Sequence, residues 1–440
     1  YAFSGCSLLE NLSMPNHAQF IGGHAFEYCS RLSDIVVPVN ILSIKKSTFS
    51  SCRRFTHISI PNNVISIDNY AFDGCSSLEN ISIPDSVISI GEYAFRSCSS
   101  LSTILLPSSV SYIGLGAFSF CYSLTNISIP DNVQLIDSNT FESCHNLLSI
   151  SLPSNLISIK AHAFKSCSAL ISISIPASAA LISEYAFDSC TSLVNFDVTE
   201  GNPNYQSRDG VLFSTLFNEL VKYPSNQGYE YIIPDGVASI GPSAFESCSN
   251  LSKVSIPNTV TSIGDHAFES CSSLASIDIP NSVRFIGNAA FRHCSNLSTI
   301  NVDETNQYYQ SENGILYSVF DGELNRLVKY PSSNLSTSYT IPSNVQYIDD
   351  YAFESCLYLD KIIIPEGILS IGDYAFHSCS NLASLSIPSS ITSIGPSAFD
   401  DCYSMTTIDV SAENQRYKSN ESVLFSKSQD TLIKYPPKQA

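Results

Sequence analysis

Apolar and polar residues alternate along this chain in a fixed order that recurs many times. The spacing of two between Ile81 and Ile83 predicts a strand with one buried face. The later steps of three and four predict turns and a short 3₁₀ or helical piece that carries Ala94 and Phe95. One such coil reads Leu78-x-x-Ile81-x-Ile83-Pro84-x-x-Val87-x-x-Ile90-Gly91-x-x-Ala94-Phe95-x-x-Cys98.

A single coil of this kind leaves apolar residues uncovered on both of its sides. We therefore expect the coils to stack, with their strands in a parallel sheet about 4.8 Å apart. Cysteines mark the period, because within three runs a Cys recurs every 23 residues and a Phe stands three residues before each of the 15. The runs are Cys6, Cys29, Cys52, Cys75, Cys98, Cys121, Cys144, Cys167, Cys190, then Cys248, Cys271, Cys294, then Cys356, Cys379, Cys402. A fixed period of this length indicates a repeat architecture, so we expect residues 1–440 to form a single elongated solenoid.

The position of Gly91, here named the corner position, has a restricted composition. It holds Gly in most coils and Asp in three others. Both residues tolerate a positive φ, so the pattern predicts a tight left-handed corner there. Lys45, Lys160 and Ser183 depart from the pattern and indicate corners of a different shape.

Three segments interrupt the period, at about 199–230, 303–338 and 411–436. Each has two apolar stretches that flank a polar turn, which predicts a β-hairpin. In the first they are the stretches 210–214 and 220–224, Gly-Val-Leu-Phe-Ser and Leu-Val-Lys-Tyr-Pro. The closing Leu-x-Lys-Tyr-Pro resembles the Ile-x-Ile-Pro strand, so we expect it to rejoin the parallel ladder.

The coil motif resembles the BspA-like, or treponemal-type, class of leucine-rich repeats, and the three inserts resemble that family as well. The resemblance covers essentially the whole chain. It implies a protein of an anaerobic bacterium or a mucosal parasitic protist, located at the cell surface or secreted. Its implied partners are host matrix proteins, cell-surface proteins or glycans, and other microbial surfaces.

Composition narrows the classes of partner. The net charge of −19 and the pI near 4.7 disfavour nucleic acid, because binding to phosphates needs clustered Lys and Arg. No apolar run approaches the roughly 18–20 residues that span a bilayer, so we expect no direct membrane insertion. The chain begins at Tyr1 in the middle of a coil, and we expect it to be part of a longer protein.

Fifteen cysteines in one register could form disulfides, a metal site or a ladder of buried thiols. Neighbouring coils would bring Cα atoms within disulfide range, but each run holds an odd number and pairing would distort a uniform repeat. A zinc site needs a tetrahedron of ligands, whereas stacked coils place them in a line. We therefore favour buried thiols that pack as small apolar side chains, with no metal and no cofactor.

No pattern of residues favours catalysis, and we expect no enzyme activity. His24, His162 and His266 share a surface position that holds Tyr in other coils. An acid follows the repeat Phe in many coils, which predicts a solvated acidic stripe; binding of divalent cations or of a basic partner is the alternative. These acids are Glu27, Asp73, Glu142, Asp188, Glu246, Glu269, Glu354 and Asp400.

The outward positions of the strands form the candidate binding surface, since the strand face of a solenoid is commonly its concave binding surface. They hold a row of Ser that is polar and nearly uncharged, and a merely solubilising row is the alternative. Asp interrupts the row in or near the coils that carry inserts, where we expect local specificity. The candidate ligand-binding residues are Ser82, Ser128, Ser255, Asp197, Asp278 and Asp409. The pattern thus favours an adhesive binding scaffold, with a self-associating surface coat or spacer as the alternative.

Overall fold

The computed structural model describes residues 1–216 and 218–438, and within them every regular element is a β-strand. The coils repeat about every 23 residues in about 17 turns and form a parallel β-solenoid of the leucine-rich repeat type, as predicted. Two compact units are present, Tyr1–Gln227 and Gly228–Ala440. The expectation of one elongated solenoid over the whole chain stays a prediction.

In the first unit each regular coil supplies one strand to each of two rows. The first row, from the Ile-x-Ile motif, comprises Asn11–Leu12, Asp34–Ile35, His57–Ser59, Asn80–Ser82, Thr103–Leu105, Asn126–Ser128, Ser149–Ser151, Ser172–Ile175 and Asn195–Val198. The second row, which precedes the corner position, comprises Ser43–Ile44, Ser66–Ile67, Ser89–Ile90, Tyr112–Ile113, Leu135–Ile136, Ser158–Ile159 and Leu181–Ile182. An insert of three strands, Tyr205–Arg208, Val211–Ser214 and Glu219–Lys222, follows.

The second unit repeats this arrangement around two inserts. Its first row comprises Glu230–Ile232, Lys253–Ser255, Ser276–Ile279, Thr299–Val302, Ser338–Thr340, Lys361–Ile363, Ser384–Ile387 and Thr407–Val410. Its second row comprises Ser239–Ile240, Ser262–Ile263, Phe285–Ile286, Tyr347–Ile348, Ser370–Ile371 and Ser393–Ile394. The inserts are Tyr309–Glu312, Ile315–Phe320 and Glu323–Lys329, then Tyr417–Asn420, Val423–Ser426 and Leu432–Lys434.

Equal coil lengths keep the strands in register, so equivalent residues stack directly on one another. Ile81 pairs with Ile104 in the parallel first row, and both are buried. Inside the coils the repeat Phe side chains form a column, with the rings of Phe95 and Phe118 stacked 5.5 Å apart. Burial of the same apolar positions in successive coils gives one core from Ile21 to Leu212 in the first unit and another from Ile315 to Leu424 in the second.

The segment that carries Ala94 and Phe95 forms successive turns, so the expected 3₁₀ or helical piece is absent from the described residues. Only every second N–H group donates to the carbonyl three residues earlier in the same coil. Ala94 N–H donates to Gly91 O, and Arg96 N–H donates to Tyr93 O. The N–H groups between them donate to the following coil, as Phe95 N–H does to Ala117 O. This division of donors between coils prevents a continuous helix.

The left-handed corner was predicted at the wrong position. Gly91 and Gly114 lack a positive φ, whereas Tyr93 and Ser97 have φ values of 54° and 58°. A Cβ on Gly114 would lie 2.7 Å from the backbone N of Glu92 in the preceding coil. The corner position therefore favours Gly because two backbones approach closely there.

Each insert is a three-stranded antiparallel meander, which extends the predicted hairpin by one strand. In the second insert the closing strand rejoins the parallel ladder, as expected, but it does so in the second row, where Leu327 pairs with Ile348. Tyr330 then stacks 5.2 Å from Phe353 in the column of repeat Phe rings. The closing stretch therefore replaces a second-row strand and its Phe, although Leu327 and Tyr330 are three residues apart and Ile348 and Phe353 are five apart.

Candidate functional site

The polar strand face consists of the outward side chains of the first-row strands. Because these strands are parallel and in register, equivalent side chains from adjacent coils are neighbours; Ser59 pairs with Ser82, and Ser128 with Ser151. Ser82, Ser128 and the equivalent Ser255 of the second unit are exposed. The structure thus places these three predicted residues on the surface.

The three candidate Asp residues are also exposed on this face, in separate places. Asp197 lies in the last first-row strand of the first unit and accepts a hydrogen bond from Ser174 Oγ at 3.3 Å. Asp278 accepts one from Asn301 Nδ2 at 2.8 Å, and Asp409 lies in register with Ser386. Each Asp therefore adds a carboxylate near the end of a run of coils, and the six candidates do not converge on one pocket.

Exposed aliphatic side chains interrupt the polar strand face, which the sequence analysis missed. Leu105 is 85% exposed and lies between the coils of Ser82 and Ser128, and Ile232 in the second unit is 76% exposed. Each occupies a position that holds Ser more often than any other residue. That departure was the signal in the sequence, since an apolar residue at an outward strand position has no core to enter.

A shallow depression lies beside the polar strand face in the first unit. It has a volume of about 390 Å³ and is lined by Ser151, Ser174, Pro176 and Thr199 among others. Asp197 pairs with Ser174 in the next strand of the same sheet. The depression therefore joins hydroxyl groups of the face to a recess near one of the predicted Asp residues.

The acids that follow the repeat Phe do not form a solvated stripe. Glu354 is 1% exposed and accepts a hydrogen bond from Arg292 Nε at 3.2 Å, and Asp73 binds Arg96 Nε at 2.8 Å. These acids lie where coils stack, and a carboxylate withdrawn from water there requires a donor. The expectation of a freely solvated acidic surface was therefore wrong.

One of these acids is bonded to a histidine of its own coil. His266 Nδ1 lies 2.6 Å from Glu269 Oε2, and this hydrogen bond raises the pKa of His266. Burial is the largest single influence on Glu269 and opposes its ionisation. The bond and charge of His266 and the charges of Arg292 and His293 together outweigh burial, and the pKa of Glu269 is lowered. The hydrogen bond between His266 and Glu269 therefore stabilises the outer turn of the coil to which both residues belong.

The cysteines form the predicted ladder of unpaired thiols, buried in every coil except that of Cys6. The thiols also form hydrogen bonds between coils. Cys121 Sγ donates to the carbonyl of Phe95 at 3.2 Å, and the equivalent bond recurs along the runs. Burial raises the pKa of Cys144 from its ordinary value of 9.0 to about 12. The buried thiols are therefore protonated and withdrawn from reagents near neutral pH.

The described part of the chain comprises residues 1–216 and 218–438. No group of three or more His, Cys, Asp or Glu side chains in that part of the chain is placed to hold a metal ion. The described residues also contain no helix that could cross a bilayer.

Comparison with known proteins agrees with the fold. The BspA type leucine rich repeat region matches residues 1–125, 112–208, 223–314 and 330–438, in six copies. A leucine rich cell surface protein from Faecalibacterium prausnitzii A2-165 is 27% identical, with 98% of this chain and 92% of that chain covered and a TM-score of 0.53. A leucine-rich repeat protein from Bacteroides ovatus is 26% identical, with 93% and 86% covered and a TM-score of 0.50.

A leucine-rich repeat protein from Eubacterium ventriosum is 26% identical over 79% of this chain and 87% of that chain, with a TM-score of 0.57. No protein of curated function matches the chain in sequence. The family match extends over both units and omits only residues 209–222, 315–329 and 439–440. With its 23-residue coils, column of Phe rings and ladder of thiols, the chain belongs to the BspA-type leucine-rich repeat family.

Proposed function

We propose that this chain is a non-catalytic scaffold displayed at a cell surface, which binds macromolecules through the polar strand face. Its partners would be host matrix proteins, cell-surface proteins or glycans, or other microbial surfaces. The observation that carries the proposal is the in-register row of small exposed residues, as in the pairing of Ser128 with Ser151. Such a row lets a partner approach closely and offers hydroxyl groups at regular intervals of about 4.8 Å.

Exposed aliphatic residues support the same surface. An apolar side chain surrounded by polar ones is a common anchor of protein interfaces, because burial of a single large side chain contributes much of the binding energy. Leu105 has this setting between Ser82 and Ser128. Asp197 and Asp409 would add local specificity through carboxylate acceptors near the inserts.

The test measures binding of the labelled chain to epithelial cells and to immobilised fibronectin, laminin and collagen at low and high salt. We expect saturable binding to at least one of them that unlabelled chain competes away. Because the face carries few charges, salt should change the affinity by less than about threefold between 50 and 200 mM. The absence of saturable binding to any of these surfaces, with chain multimerised on beads to add avidity, would reject the proposal.

A matched pair of substitutions locates the surface. Leu105→Ser installs the most frequent residue at this outward position and should weaken binding by about tenfold through loss of the anchor. Ile88→Ser removes an aliphatic residue that is 50% exposed beside the second row, and it should leave binding unchanged. Equal effects of the two substitutions would contradict the assignment to the polar strand face.

Self-association into a surface coat or spacer is the competing function. Light scattering from the samples used for the binding measurements tests it. A particle size in light scattering that rises steeply with concentration, together with failure to bind cells or matrix, would favour a surface coat or spacer. A constant particle size with saturable binding supports the proposed scaffold.

A further inference from the structure

The closing strand of each insert ends in a lysine, which is buried in the first two inserts and partly buried in the third. In the first insert Lys222 lies 3.7 Å from Asp188, and in the third Lys434 lies 2.9 Å from Asp400. Both acids directly follow a repeat Phe in the coil before the insert. An ammonium group thus meets a carboxylate at the same place in both inserts, and the pair is buried in the first insert.

The second insert departs from this rule. Lys329 is 4% exposed, but the residue that follows the repeat Phe there is Arg292. The ammonium group of Lys329 donates to the carbonyl of Tyr351 at 2.9 Å, and it forms no ion pair with any described residue. A buried ammonium group without a counter-ion is unfavourable, so this position has an unmet requirement for an anion.

Lys329 also lines an open recess, here named the insert cleft, together with Arg292, Asn288, Tyr309 and Asp350. Its volume is about 390 Å³, within the range of small-molecule sites. The cleft lies beside the insert. In a regular run of coils the next corner would cover Asn288, but here the strands of the insert take the place of that coil and leave Asn288 uncovered. The equivalent recess of the third insert is smaller, at about 250 Å³, and contains the Lys434–Asp400 pair.

The remaining walls of the insert cleft suit a ligand that carries hydroxyl groups. The carboxylate of Asp350 accepts from Asn288 Nδ2 at 3.1 Å and retains further acceptor capacity. Tyr309 is 8% exposed, and its hydroxyl accepts the N–H of Ile286 while its own proton remains to be donated. The Asp350 carboxylate would repel a phosphate, which carries more negative charge than a sugar carboxylate, whereas sugar hydroxyls can donate to Asp350 and accept from Tyr309.

We propose that the insert cleft binds an acidic sugar, a hexuronic acid or a sialic acid, at the terminus of a glycan. The sugar carboxylate pairs with Lys329, and ring hydroxyls bond to Asp350, Asn288 and Tyr309. The exposed ring of Phe285 lies at the lining of the cleft and packs against the apolar face of the sugar. This site is separate from the polar strand face, so it does not depend on the scaffold proposal.

The test titrates the full chain with free glucuronate and N-acetylneuraminate by calorimetry, with glucose as the neutral control. Binding of at least one acidic sugar, and a melting temperature raised by it, are expected; glucose should have neither effect. Binding of neither acid would overturn the proposal. Inorganic phosphate that bound as tightly as the sugars would overturn the sugar assignment. Because these ligands are soluble and small, the outcome is independent of binding to cells or matrix.

Matched variants assign the site. Lys329→Met keeps the length of the side chain, removes its charge and should lower the affinity for the acidic sugar by at least about tenfold. Lys434→Met makes the same change in the third insert, where the ammonium group already has Asp400, and should not alter the affinity. Asn288→Ala, at an exposed residue of the opposite wall, should weaken binding and leave the melting temperature intact. Retained affinity in both Lys329→Met and Asn288→Ala, or an equal loss in Lys434→Met, would contradict the assignment.

Discussion

At the scale of the residue, glycine at the corner position brings two coils together. The N–H of Gly114 donates to the carbonyl of Ile90 in the preceding coil at 2.9 Å. A Cβ at this residue would meet the backbone of that coil at 2.7–3.0 Å, closer than van der Waals contact allows. The close stacking of this corner therefore depends on the missing side chain, whereas the hydrogen bond does not, because Asp68 and Lys160 make the same bond at the corner position.

Gly114→Ala should lower the free energy of unfolding by about 1–3 kcal/mol, the usual range for overpacking. Gly22→Ala is the matched control, because its Cβ would meet only Phe20 Cε1 at 3.6 Å and its φ is not positive. That control should be neutral or slightly stabilising, since Ala restricts the unfolded chain. Urea denaturation followed by circular dichroism measures both; a Gly114→Ala chain as stable as the Gly22→Ala chain would contradict the close-approach explanation.

The sequence could locate the corner but not its conformation. A conserved spacing of Gly is compatible with a positive φ and with close approach, and only coordinates distinguish them. The positive φ values belong to positions such as Tyr93 and Ser97, whose side chains are ordinary ones. Ser recurs at the position of Ser97, but neither Ser nor Tyr predicts a positive φ, because intercoil hydrogen bonds rather than local propensity impose the conformation.

At the scale of the element, each insert begins with an Asn that closes the coil before it. Asn306 Nδ2 donates to the carbonyls of Pro280 and Val283 at 2.8 and 3.1 Å. Its Oδ1 accepts the N–H groups of Tyr308 and Tyr309 at 2.8 and 2.9 Å. The same role falls to Asn202 and Asn414 in the other inserts. One side chain thus satisfies four backbone groups where the coil pattern is interrupted.

Asn306→Ala should cost about 3 kcal/mol, because buried donors and acceptors would be left without partners. The control is Asn301→Ala in the same unit, which removes an exposed amide bonded only to Asp278 and should change stability by less than about 0.5 kcal/mol. Hydrogen exchange read by mass spectrometry would show faster exchange in residues 303–330 of Asn306→Ala. Unchanged exchange there, with unchanged stability, would show that the Asn does not hold the insert.

The inserts illustrate what an apolar pattern can predict about an element. Their last two strands were evident because two apolar stretches flanked a polar turn, whereas the first strand, such as Tyr205–Arg208, was not predicted. The row that the closing strand joins was not evident, since the spacing of two between Leu327 and Lys329 is that of the first-row Ile-x-Ile motif. All three inserts share an Asn-x-x-Tyr pair, such as Asn306 with Tyr309, at their start. This pair was a usable sequence signal for the start of an insert, and no prediction was based on it.

At the scale of the whole molecule, the ladder of thiols makes stability sensitive to alkaline pH. The unfolded thiols ionise near pH 9, whereas burial raises the pKa of Cys144 and Cys294 to about 12 in the folded chain. Above pH 9 the unfolded chain therefore binds fewer protons, and stability that is complete below that pH is lost as pH rises toward 12. Each such thiol should contribute a loss of about 1.4 kcal/mol per pH unit.

Urea midpoints measured with reductant between pH 8 and 10.5 would test this loss, which should steepen once the pH passes 9. In Cys144→Ala the free energy of unfolding should fall less steeply with pH, because one buried thiol is absent. The variant should nevertheless be less stable than the unmodified chain at every pH. A midpoint that is constant up to pH 10.5 would contradict the burial of protonated thiols.

The candidate surface was predictable in outline from the sequence. Outward strand positions follow from the period of two, so Ser82, Ser128 and Asp197 were correctly expected at the surface. The pairing of acids was not predictable, because Glu354 and Arg292 lie 62 residues apart and meet only where an insert is bypassed. The insert cleft was missed for the same reason.

The polar strand face is best tested by blocking it at one residue. Because every thiol except that of Cys6 is buried, a cysteine placed at the surface of a Cys6→Ser chain reacts alone with a polyethylene-glycol maleimide. Ser128→Cys puts the polymer on the polar strand face, and Gln134→Cys puts it on the same coil beside the second row. The measurement uses the cells or matrix protein to which the unmodified chain binds. Polymer at residue 128 should weaken this binding by at least about tenfold, whereas polymer at residue 134 should weaken it by less than about twofold. Equal weakening by both, or weakening by the second alone, would contradict the claim that this chain binds through its polar strand face.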